Sequence, residues 1–167
     1  MSNPRADMTN DLIRIKRAIQ LNEFSQAESS LKKLIQQYPH FIQGYILLGN
    51  IYERMGRFEE AIDQFNKVIA KNNKIGEVYN NLGVVYKNIR NFEIALSYFK
   101  EALKRLGNRA DVHYNLGNTY KELGDYQKAI EEYKQTLRIS PDFTRAYINL
   151  GTIYEELEDY EKAKEIF

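Results

Sequence analysis

The sequence predicts an all-α chain of antiparallel helix pairs, and three observations predict it. The pairs Leu48-Gly49, Leu82-Gly83, Leu116-Gly117 and Leu150-Gly151 recur at a constant step of 34 residues with no insertion. Tyr52, Tyr86, Tyr120 and Tyr154 keep that step, as do Ala61, Ala95, Ala129 and Ala163, and the rings Phe65, Phe99, Tyr133 and Phe167 follow each alanine at the same distance. Within every period, apolar residues fall at helical spacing on both sides of a short turn, the pattern of two amphipathic helices. A fixed period of this length marks an array whose repeats bury their apolar faces against one another.

Composition is consistent with one such array. The chain has 167 residues, 43% apolar and 28% charged, which suffices for one core and is too polar for a membrane protein. The net charge of +1 supplies no field to gather nucleic acid. The opening residues lack an apolar run of signal-peptide length and no later run approaches a membrane span, so a cytoplasmic protein without membrane insertion is expected. The absence of cysteine removes disulfides, thiolate metal sites and thiol nucleophiles.

Taken in order, residues 1–7 read as a flexible tail and 8–167 as a single array with repeats 8–41, 42–75, 76–109, 110–143 and 144–167. The first repeat is degenerate: Asp11, Arg14 and Ile15 stand where later repeats carry an aromatic, Leu and Gly, which predicts looser or end-specific packing, as is usual for a terminal repeat, while Phe24, Ala27, Leu31 and Pro39 keep the register. In the second, Tyr45, Leu48, Gly49 and Tyr52 mark the first helix, Gly56 the turn, and Phe58, Ala61, Phe65 and Val68 the second helix. The third and fifth place Arg90 and Glu158 where Gly56 and Gly124 stand elsewhere, so these turns should be less ideal. In the fourth, His113 takes the aromatic place of the first helix. Between repeats Pro39 and Pro141 stop the second helix, and Asn73 and Gly107 serve that place elsewhere. The chain stops about two turns into its last helix by the helical rise, so it reads as a fragment of a longer array or as one ended at an artificial boundary. The small residues let helix backbones approach while the rings fill the flanks, so Gly117→Leu should cost about 1–3 kcal/mol or more by overpacking.

On these motifs the sequence resembles the tetratricopeptide repeat family: Leu-Gly, the following Tyr, then Ala, the ring and Pro, over residues 8–167, with Tyr or His113 in place of the family's Trp. The pentatricopeptide family, which reads RNA, has a different period and internal pattern. The resemblance implies a right-handed α-solenoid in which first helices line a concave groove and second helices lie outside. It further implies a protein-interaction module whose groove residues stand at the second, fifth, sixth, ninth, twelfth and thirteenth positions of each repeat. Carried over residue by residue, the candidate peptide-binding set is Asn50, Arg54, Asn81, Lys87, Tyr114, Asn115, Asn118, Lys121, Arg145 and Asn149.

Asn81, Asn115 and Asn149 share the sixth position of successive repeats. Such a row of amides can pair with successive peptide groups of an extended chain, since each offers donors and an acceptor; the alternative is that Asn is simply common at that place. The family's carboxylate clamp is met only in part, because Ile46, Asp111 and Asn115 stand where its cations belong and a free carboxylate would lack charge-assisted donors. Ile46, Leu47, Val84, Tyr114 and Ile148 offer apolar patches that either anchor partner side chains or pack on neighbouring repeats. Charge is uneven along the chain, with 17 cations and 11 anions in residues 1–109 against 7 and 12 in the remainder.

Catalysis is not expected. Only His40 and His113 are present, carboxylates follow helix surfaces without an isolated pair, and no phosphate-binding loop appears. No cofactor or metal site is expected. The function the sequence favours is a non-catalytic scaffold binding a peptide segment of a partner protein. Alternatives are a homo-oligomeric scaffold assembling through terminal repeats, and the substrate-recognition arm of a larger enzyme.

Overall fold

The computed structural model describes the backbone of residues 4–166 and the side chains of residues 8–164. Ten α-helices occur among the described residues: α1 Pro4–Gln20, α2 Phe24–Gln37, α3 Ile42–Arg54, α4 Phe58–Lys71, α5 Gly76–Asn88, α6 Phe92–Leu106, α7 Ala110–Glu122, α8 Tyr126–Ile139, α9 Thr144–Glu156 and α10 Tyr160–Ile166. The all-α repeat architecture expected from the sequence is the one found. Helices α3, α5, α7 and α9 begin at the residues that open the second to fifth repeats. Of the expected tail, residues 1–3 lie outside the described residues, and α1 takes up the chain at Pro4. Phe167, the last member of the ring series, also lies outside them.

Two compact bodies divide the chain, Met1–Asn81 and Leu82–Phe167, with the boundary inside α5. In the first body α1, α2, α3 and α4 pack in sequence, and in the second α6 to α10 do so. Short turns between consecutive helices make neighbours antiparallel.

The second helix follows the first because the chain reverses in one left-handed residue. Asn22, Gly56, Arg90, Gly124 and Glu158 occupy that place with φ of 59°, 72°, 62°, 75° and 57°. The amide of the next residue reaches back to the first helix, as in Arg57 N–H to the Tyr52 carbonyl at 2.8 Å and Asn91 N–H to that of Tyr86 at 2.8 Å. This is the Schellman closure of a helix C-terminus. Arg90 and Glu158 therefore adopt the glycine geometry, at a steric cost of about 1–2 kcal/mol each. Asn91, Asp125 and Asp159 then cap the second helices, their side chains accepting from the amides of Ile94, Lys128 and Lys162.

Within a helix pair the core is a ring against a bare backbone. A Cβ placed on Gly49 would lie 2.5 Å from the Phe65 ring, one on Gly83 2.5 Å from Phe99, and one on Gly117 2.6 Å from Tyr133. All three rings are fully buried. In the first repeat Ile15 replaces the glycine and Leu31 replaces the ring, and both are buried at 1% and 0% exposure. Bulk added on one helix is removed from the other.

Candidate peptide-binding face

All ten candidate residues stand on first helices. Asn50 and Arg54 lie on α3, Asn81 and Lys87 on α5, Tyr114, Asn115, Asn118 and Lys121 on α7, and Arg145 and Asn149 on α9. Residues three and four apart share a helix face. That spacing groups Asn50 with Arg54, Tyr114 with Asn118 and Lys121, and Arg145 with Asn149.

In the first body the Asn81 side chain donates through Nδ2 to Asn50 Oδ1 at 2.9 Å. In the second body Asn149 Nδ2 donates to Asn118 Oδ1 at 2.9 Å, with the Tyr133 and Tyr114 hydroxyls at 3.2 and 3.3 Å. The Tyr133 hydroxyl in turn donates to Asn118 Oδ1 at 2.7 Å. Both pairs join a sixth-position amide to the ninth-position amide of the preceding repeat. For Asn115 the ninth position of the preceding repeat is Val84, whose side chain offers no amide to pair with. The structure thus couples amides diagonally across repeats, where the sequence aligned them in one column.

This pairing fixes what each amide has left to offer. Asn50 and Asn118 spend their carbonyl oxygens, and among the described residues their Nδ2 groups have no partner. Asn81 and Asn149 spend Nδ2, and their Oδ1 atoms have none. Each pair therefore offers one donor group and one acceptor, the complement of a peptide unit. All four residues are half-buried.

Other candidates divide between packing and exposure. Arg54 donates to Asn22 Oδ1 at 2.7 Å and lies 4.6 Å from the centre of the Phe24 ring, so it ties α3 to the first turn. The Tyr114 ring packs on Phe143 at 4.9 Å and on Tyr133 at 5.8 Å. Lys87 and Lys121 are half-buried and Arg145 is exposed, and none has an ion pair among the described residues. Asn115 is half-buried, and its backbone carbonyl accepts from the Thr119 hydroxyl at 2.7 Å. Of the apolar patches, Ile46 is buried at 2% exposure while Ile148 is 51% exposed; the same repeat position serves the core in one place and the surface in the other.

Two features escaped the sequence reading. The Tyr133 hydroxyl completes the amide network, and burial pushes its phenol well above the ordinary range, keeping it a neutral donor. The change from Phe65 and Phe99 to Tyr133 was the available signal. The second is a charged cluster: Glu28 accepts from Lys32 at 2.6 Å, from Arg57 at 2.7 Å and from the Tyr52 hydroxyl at 3.1 Å. Burial alone would raise the Glu28 carboxyl, but those three donors outweigh it and hold it below its ordinary value. Glu28 and Arg57 lie 29 residues apart in sequence, and nothing in the repeat pattern marks them.

Helix pairs that present polar first-helix faces define a protein-interaction scaffold. Models of the tetratricopeptide repeat match residues 74–142 in one case and 18–82 with 122–167 in another. The chain belongs to the tetratricopeptide repeat family, whose members are generally non-catalytic interaction modules. Among solved structures it is similar to MamA, with 28% identity over 92% of this chain and 90% of that one and a TM-score of 0.79. BtubC from P. vanneervenii has 25% identity over 93% and 75%, with a TM-score of 0.82. YrrB, described as a TPR protein with an unusual peptide-binding site, has 23% identity over 91% and 78%, with a TM-score of 0.68. No curated protein sequence matches the chain significantly. No helix among the described residues is long and apolar enough to cross a membrane.

Proposed function

We propose that the chain is a non-catalytic scaffold that binds a peptide segment of a partner protein, each body reading an extended peptide backbone through its own pair of asparagines on first helices. The observation that carries this reading is the common bonding pattern of Asn50 with Asn81 and of Asn118 with Asn149. Each pair keeps one donor and one acceptor for a ligand, and each is held by hydrogen bonds that spare the peptide the cost of ordering it. Lys87, Lys121 and Arg145 supply cations on the same set of helices, and the exposed Ile148 supplies an apolar contact.

The test replaces the free donors and leaves the paired acceptors. Asn50→Asp and Asn118→Asp keep Oδ1 for Asn81, Asn149 and Tyr133 but turn an oxygen toward the peptide carbonyl. A peptide selected on the wild type from a displayed random library should bind the double variant at least about tenfold more weakly, with the thermal melt retained. Equal affinity in a folded variant would overturn the proposal.

A further inference from the structure

The first body carries a pocket of about 360 Å³ between α2, α3 and α4, within the size range of small-ligand sites. Ile35, Tyr45, Leu48 and Tyr52 line it together with the amides of Gln36 and Gln64. Tyr45, Leu48 and Tyr52 lie on a different face of α3 from Asn50 and Arg54, so the pocket is separate from the asparagine pairs. Repeat register shows what stands beside the equivalent ring in other repeats. One repeat on, Tyr98 stands at the place of Gln64 and Tyr86 at the place of Tyr52, and the two rings stack at 5.3 Å with planes 10° apart. Two repeats on, Glu132 stands there and bridges to His113 Nδ1 at 2.6 Å. In the second repeat Gln64 instead turns to Asp63, Nε2 to Oδ2 at 2.9 Å, and the space beside it stays open.

Charge does not select the occupant, because Lys32 and Lys67 at the rim are each paired, with Glu28 and Asp63. Shape and polarity do: a largely apolar and aromatic wall with two amides beside it suits a ring with a polar tip. We propose that this pocket is a second docking site that takes one tyrosine side chain from a partner protein, at the register position where Tyr98 stacks on Tyr86 one repeat on.

The probe is 4-methylphenol, the tyrosine side chain without its backbone, titrated into the isotope-labelled chain and followed by NMR. Saturable shifts at Leu48 and Gln64 are expected, with a dissociation constant on the order of 1 mM for so small a ligand, together with contacts from the ring protons to the Leu48 methyls. Gln64→Tyr sets beside Tyr52 the ring that Tyr98 sets on Tyr86 and should weaken binding at least about tenfold, whereas Gln64→Ala should keep it. Absence of saturable shifts in the wild type overturns the proposal, as does unchanged binding by folded Gln64→Tyr. If that variant does not fold, contacts that place the ring away from Leu48 in the wild type overturn it equally.

Discussion

Replacing Gly83 by Ala, alone and together with Phe99→Leu, tests the packing rule of the repeat. The added Cβ would lie 2.5 and 2.6 Å from two atoms of the fully buried Phe99 ring, so the ring must shift. Overpacking of this kind costs about 1–3 kcal/mol, while Ala regains about 1 kcal/mol of helix propensity over Gly. The single change should therefore destabilise by about 0–2 kcal/mol on those figures. Phe99→Leu alone leaves a gap, at less than the ~3–5 kcal/mol of a full truncation to Ala. In the double variant the methyl group enters that gap, as Ile15 and Leu31 share the space in the first repeat. Urea unfolding followed by circular dichroism should show the pair at least ~1 kcal/mol more stable than the sum of the singles, inside the range of contacting residues. Slopes are read with midpoints, since a changed slope signals one repeat melting ahead of the others. Additivity within about 0.5 kcal/mol would refute the packing of ring on bare backbone.

Arg90→Gly and Glu158→Gly relieve left-handed strain and should each raise stability by about 0.5–1 kcal/mol, read as a higher thermal midpoint; a lower midpoint contradicts the turn assignment. Tyr133→Phe keeps the ring and removes the hydroxyl, and should cost about 0.5–1.5 kcal/mol in urea titrations, with no loss arguing against the network. For Glu28 the folded-state value lies below the ordinary value of 4.5, so its contribution is present above pH 4.5 and is lost as pH falls through the lowered folded value. Glu28→Gln should flatten that acid limb of the stability profile, and an unchanged limb would exclude Glu28 as its source.

The repeat, the helix pairs and the turn positions were legible because each rests on local spacing: Leu-Gly for close approach, Gly56 for reversal, Pro39 and Pro141 for termination. The conformation of Arg90 and Glu158 followed from alignment with Gly56. The compensation between Ile15 and Leu31 was not legible in either residue alone, since volume is shared between two helices. The asparagine pairs illustrate the same limit. A column of Asn81, Asn115 and Asn149 is visible by period, but the bond from Asn81 to Asn50 spans 31 residues and depends on how neighbouring repeats pack. Glu28 and Arg57 lie at positions that other repeats fill differently, so periodicity hides them.

Backbone reading is tested by titration calorimetry that compares a peptide selected on the wild type with versions N-methylated at single backbone amides. If Asn81 and Asn149 accept from those amides, N-methylation at the ones facing them weakens binding about tenfold, the equivalent of ~1.4 kcal/mol, while side-chain swaps at the same peptide residues change it little. Affinity that ignores every N-methyl group and follows the peptide side chains would contradict it.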